Sequence, residues 1–100
     1  MLEKHPLVDC DLEAAALWYG RRNPAAAEAL ISAAELALRT AAFDPFRFPI
    51  RIGHCRRIRL PGFPYAALYE IREQTVYILA IAHLSRDLPM LMHDRFTGGS

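Results

Sequence analysis

The stretch YAALYEIREQTVYILAIAH, running from Tyr65 to His83, decides the fold. Its second half, Thr75 to His83, is apolar at nearly every position, which suits a central strand covered on both faces. Its first half, Tyr65 to Ile71, places Tyr65, Ala67, Tyr69 and Ile71 on one side by the two-residue alternation of a strand. Arg72-Glu73-Gln74 leaves room only for a short turn, so the two runs pair antiparallel. An earlier run, His54 to Leu60, is closed by Pro61-Gly62 and adds a third strand. Together they predict an antiparallel meander.

Upstream of it the periodicity is helical. Asp9 and Asp11 stand where carboxylates favour a helix start, because free N–H groups there attract negative charge. Leu12, Ala16 and Tyr19 follow at helical spacing, with Ala15 beside them. Gly20 to Asn23 interrupts the pattern. Asn23-Pro24 restarts it, since asparagine is a good N-cap and proline is preferred at the first helical position. Ala27, Leu30, Ile31, Ala34, Leu38 and Ala41 then form one apolar stripe on a helix from Pro24 to Ala42, about 28 Å long. A connection this short makes the two helices an antiparallel hairpin. Pro45 and Pro49 forbid helix beyond it, and Phe43, Phe46 and Phe48 are expected to pin that loop to the core. Leu7-Val8, after Pro6, predicts a short N-terminal strand. Helices first and strands later give an α+β class, with the helix pair over one sheet face.

The chain has 100 residues, 53% of them hydrophobic and 23% charged, which fits one globular domain, read as residues 1–96 with a flexible tail over 97–100. A formal net charge of +1 selects no class of partner. No apolar run reaches the roughly 20 residues of a membrane span, and the first residues lack the basic-then-apolar pattern of a signal peptide. A cytoplasmic protein without a membrane partner is therefore expected. Cys10 and Cys55 are read as two thiols packed as small hydrophobes in a reducing compartment.

In order along the chain stand Asp9 and Asp11, Trp18-Tyr19, Pro24-Ala25, Arg56-Arg57, Phe63-Pro64-Tyr65, Tyr69, Ala80-Ile81-Ala82-His83, Arg86 and Pro89. Over roughly residues 5 to 95 this succession resembles the RelE/ParE toxins of bacterial type II toxin–antitoxin pairs, and ParE-type members more closely. The resemblance implies a strand, a helix hairpin and an antiparallel sheet, and neutralisation by a cognate antitoxin. For a ParE-type member it implies inhibition of DNA gyrase by binding, with no cofactor and with operator DNA met only through the antitoxin. The alternative is a RelE-type ribonuclease that cuts messenger RNA on the ribosome. A third reading is a toxin fold that has lost toxicity and remains only as the antitoxin's partner. Many relatives carry an aromatic pair after the proline, where this chain reads Met90-Leu91-Met92-His93, and that departure counts against the ribonuclease.

The strongest local signal is basic. Arg47, Arg51, Arg56, Arg57 and Arg59 fall in thirteen residues without an acid. Strand alternation puts Arg57 and Arg59 on one face and Arg56 on the other. Such a cluster is either a solvated face paired with Glu70, Glu73 or Asp87, or a contact for an acidic antitoxin or for nucleic-acid phosphates, which guanidinium forks suit. With Arg51, Arg56, Arg57 and Arg59, the residues expected at a partner are Arg86 and the aromatic Trp18. If the chain were a ribonuclease, His83 would supply acid or base, with Arg57 and Arg86 holding the phosphate. The competing reading of His83 is a satisfied structural residue at a strand end. His5, Cys10, His54, Cys55, His83 and His93 lack paired ligand spacing, so no metal is expected. The Met90-Leu91-Met92 run either closes the core or offers an adaptable apolar patch.

Overall fold

A computed structural model describes residues 1–98. In chain order its elements are strand β1 (Leu2–Lys4), helices α1 (Val8–Gly20) and α2 (Pro24–Phe43), strands β2 (Ile50–Ile52), β3 (Cys55–Arg59), β4 (Tyr65–Arg72) and β5 (Thr75–His83), and helix α3 (Leu88–Gly98). Among the described residues the strands form one sheet in the order β1-β5-β4-β3-β2. The expected α+β class, helix hairpin and β3–β4–β5 meander are present; β5, expected as a central strand, lies between β4 and the short β1, and the middle strand is β4. The expected tail at 97–100 begins at the end of α3 and otherwise lies outside the described residues.

The N-terminal strand differs in place. It is Leu2–Lys4, parallel to β5, with Leu2 opposite Val76 and Lys4 opposite Ile78. All three residues are exposed, so its pairing is made by backbone and leaves no alternation to read. Leu7 and Val8 instead enter α1. The Leu7 N–H donates to His5 Nδ1 at 3.1 Å and the Val8 N–H to the His5 carbonyl at 3.0 Å, turning the chain into the helix. Helix α2 starts as expected, with Asn23 Oδ1 accepting from the Ala25 N–H at 3.1 Å and Pro24 at the first position. Its buried stripe is Leu30, Ala34, Ala37 and Ala41, whereas Ile31 is exposed.

Two further elements lie outside the expected set. Strand β2 forms the outer edge, joined to β3 through Gly53, whose φ of 55° is the left-handed conformation a two-residue hairpin loop asks of glycine. Helix α3 covers the second sheet face. Phe43 and Phe46 do not pin the loop before β2, because both are exposed. Phe48 does pack against the core, as expected, and polar bonds hold the rest of the loop. The Tyr69 hydroxyl donates to the Pro45 carbonyl at 2.7 Å, and Arg56 Nη1 donates to the Phe48 carbonyl at 2.5 Å.

The sheet therefore has two buried faces. Tyr69, Ala67, Ile58, Ile78 and Ile81 pack under α1 and α2 with Leu30 and Val8. Cys55, Leu68, Leu79, Ala80 and Ala82 pack under α3 with Leu88, Leu91 and Met92. A bulge sets which residue goes where: Leu68 pairs with Ala80 and Tyr69 with Ile78, so Leu79 is the extra residue in β5. Burial, and to a lesser extent Glu70, push the Cys55 thiol up to about 11, and its Sγ lies 3.6 Å from Met92 Sδ.

One ion pair joins the layers. Asp11 of α1 and Arg95 of α3 meet in bidentate contact, Nη1 to Oδ2 at 2.9 Å and Nη2 to Oδ1 at 2.7 Å. Their side chains are only 12% and 7% exposed. Strand β1 ends where the His5 N–H bonds the Ile78 carbonyl at 2.8 Å, and the β5 edge beyond has no neighbouring strand. There Arg95 Nη1 donates to the Leu79 carbonyl at 2.9 Å, and Asp11 Oδ2 accepts from the Ile81 N–H at 3.0 Å. The pair thus satisfies backbone groups that a further strand would otherwise take.

Removing one partner leaves a buried charge without compensation. Asp11→Ala is expected to cost about 3–5 kcal/mol, measured by urea unfolding, while Asp11→Ala with Arg95→Met recovers part of that loss. Alkylation of the native chain at about pH 8 is expected to modify Cys10, which is exposed, and to reach Cys55 only on unfolding; mass spectrometry of the labelled peptides checks this.

Candidate functional site

The sheet register sorts the arginines. Arg57 pairs with Leu68 and Arg59 with Ala66, so both stand on the α3 side, while Arg56 pairs with Tyr69 on the helix-hairpin side. The expected split of these three is what the strand adopts. Arg56 is committed to the loop through the Phe48 carbonyl, and its guanidinium also lies 5.3 Å from the Phe46 ring centre. Arg47 lies similarly against Phe48, at 5.4 Å.

Arg51 and Arg59 are exposed and Arg57 is half-buried. Two of the acids expected to neutralise them are engaged elsewhere. Glu70, buried on the α3 side, pairs with Arg72, whose guanidinium also lies over Tyr77 at 4.2 Å. Asp87 Oδ1 accepts from the Met90 N–H at 3.0 Å at the start of α3. Among the described residues, no ion pair joins Arg51, Arg57 or Arg59 to a carboxylate. These arginines give β2 and β3 an uncompensated positive edge.

The other residues of interest gather on the opposite side. A groove of about 440 Å³ opens between α1 and the ends of β4 and β5. Trp18 and Tyr19 line it from α1, Tyr65 from β4, His83 from β5 and Arg86 from the loop that follows. Tyr65 and His83 are paired across the strands, with ring centres 5.1 Å apart. Burial, and then the neighbouring Tyr19, raise the Tyr65 hydroxyl above its ordinary range. His83 Nδ1 accepts from the Ser85 N–H at 3.0 Å and lies 2.7 Å from Ser85 Oγ, so the neutral ring carries its proton on Nε2.

His83 and Arg86 are therefore brought together, and Trp18 with them. Arg57 is not, because it projects from the other face of the sheet. Among the described residues no group of three His, Cys, Asp or Glu side chains gathers as a metal would require. Nor is any helix long and apolar enough to cross a membrane. Sequence reasoning missed the groove's assembly, which joins residues 18 and 83 across the fold, and missed Arg95, which steadies Asp11 in the groove's lining.

A family model for the ParE toxin of the type II toxin–antitoxin system parDE matches residues 2–88. The chain belongs to the ParE toxin family. A solved structure described as a chromosomal ParDE toxin–antitoxin system from P. aeruginosa shares the fold, with a TM-score of 0.72 at 17% identity over 82% of this chain and 92% of that one. No curated protein matches. The family match ends where α3 begins, so the positive edge and the whole lining of the groove lie inside it and Arg95 outside.

The two sets of arginines should separate in stability measurements. Arg56→Ala removes a charged donor from the Phe48 carbonyl and is expected to cost about 1–3 kcal/mol. Arg57→Ala and Arg59→Ala are expected to stay within about 0.5 kcal/mol of the parent in the same denaturant titration.

Proposed function

We propose that this ParE-family chain is a cytoplasmic toxin that acts by binding DNA gyrase and is neutralised by a cognate antitoxin with an acidic segment. The observation that carries the reading is the sheet register. It holds Arg57 on the sheet face opposite His83 and Arg86, so the three groups a ribonuclease would use do not all converge on one phosphate, and what the surface offers is contact area. Cleavage without a metal needs those groups within reach of one phosphate.

In this reading Arg51, Arg57 and Arg59 meet the antitoxin's carboxylates. Guanidinium forks with no internal partner lose little on pairing, and bidentate geometry gives such contacts their strength. Arg56 serves the fold beneath them. Trp18, half exposed on α1, and Arg86 mark the second surface, where a larger protein target can bury an aromatic anchor. Operator DNA is met through the antitoxin alone.

Inducible expression in a bacterial host tests the reading, with pulse readouts of translation and of DNA supercoiling, followed by a supercoiling assay on purified gyrase. Early DNA damage with translation intact, and inhibition of gyrase relieved by antitoxin, are expected. Early loss of translation with cleaved messenger RNA would overturn the gyrase assignment in favour of a ribosome-dependent ribonuclease. Arg57→Glu with Arg59→Glu is expected to weaken antitoxin binding at least tenfold, with a shallower salt dependence.

A further inference from the structure

The groove between α1 and the strand ends has a lining that also suits a small ligand. Its walls are a chain of rings in contact: Trp18 to Tyr19 at 4.8 Å, Tyr19 to Tyr65 at 6.4 Å and Tyr65 to His83 at 5.1 Å between centres. Every contact is edge-on, with interplanar angles of 62° to 76°, so the rings do not cover one another's faces. The groove's charge is also one-sided. Asp11 is the carboxylate in its lining, and that carboxylate is held in bidentate contact by Arg95. Asp87, next to Arg86 in sequence, is turned to the Met90 N–H. One guanidinium group remains in the lining: Arg86, which is exposed; that of Arg22 is committed to Trp18, stacked 3.7 Å from its ring centre and donating to its carbonyl at 2.8 Å.

We infer that this groove is a binding site for a nucleotide unit, a base held among Tyr65, Trp18 and His83 with its phosphate at Arg86. An aromatic floor holds any base, because every base has a π-face, and a cation at the rim holds the phosphate. The volume of about 440 Å³ falls within the range of small-ligand sites and admits one nucleotide. The His83 Nε2–H, left over once Nδ1 is taken by Ser85, supplies a donor to the base edge or to the phosphate. A free nucleotide and the end of a single strand present the same chemistry. The inference does not depend on which target the toxin has.

Trp18 is the only tryptophan of the chain, so the site carries its own reporter. The intact chain is titrated with uridine and adenosine 5′-monophosphates, the corresponding nucleosides and inorganic phosphate, following tryptophan emission and, by NMR, the ring signals of Tyr65 and His83. Saturable changes at or below about 1 mM nucleotide are expected, with nucleosides weaker and phosphate alone without effect on the rings. Arg86→Ala, at an exposed loop position, is expected to weaken nucleotide binding about tenfold while leaving nucleoside binding and the thermal midpoint unchanged. Tyr65→Leu weakens both ligands. A short 5′-phosphorylated oligonucleotide that binds more tightly than the monophosphate would identify a strand end as the natural ligand, and equal affinity would identify the free nucleotide. Absence of saturable change in both tryptophan and ring signals at ten times that concentration would overturn the inference. So would binding that Arg86→Ala leaves intact.

Discussion

The placement of α1 and α3 on the two sides of the sheet depends on one buried ion pair. Asp11 and Arg95 lie 84 residues apart, on the helix hairpin and on the last helix, and meet at the edge of β5 just where β1 stops covering it. A pair of this kind contributes little net stability when compared with an apolar replacement, since both charges leave water. Its role here is positional. It fills the hydrogen bonds of Leu79 and Ile81, fixes the phase of α1 against the sheet, and ties α3 to the opposite side. The groove beside it inherits its shape from that arrangement, and its positive character from the fact that Asp11 has no charge to spare.

The meander was legible because its strands bury side chains in a regular alternation, which sequence records directly. So was the start of α2, where Asn23 and Pro24 each have a local reason to sit. The split of Arg56 from Arg57 and Arg59 followed from the same alternation. Strand β1 was not legible, because its three residues contribute backbone and no buried side chain, and Leu7-Val8 imitated a strand while serving as a helix entry. Phe43 and Phe46 misled for a related reason: size suggested anchoring, but of the loop phenylalanines Phe48 packs on the core, and Tyr69 and Arg56 hold the loop by hydrogen bonds to its carbonyls.

Helix α3 is a different case. Leu88, Leu91, Met92 and Arg95 are its buried residues, at helical spacing, and Asp87 caps its start. The pattern is present in the sequence, yet Pro89 reads as a breaker and an arginine in the fourth position reads as solvent-facing. The groove is harder still. Trp18, Tyr65 and His83 are brought together by the packing of α1 on β5, a long-range contact for which a single sequence holds no local mark. The family relation likewise reaches only as far as Leu88, so the helix that closes the second face, and the arginine that steadies Asp11, belong to the part of the chain that the relation does not describe.

The extra residue in β5 has a consequence for how this strand stores information. Up to Ile78 the residues that face the helix hairpin are Val76 and Ile78; after the bulge they are Ile81 and His83, so β5 is written in two reading frames joined at Leu79. The first frame serves packing, and the second delivers a histidine to the groove while sending Ala80 and Ala82 under α3. A chain that drifts in sequence can keep its core and still move the chemistry of this strand end from one side of the sheet to the other by gaining or losing a single residue.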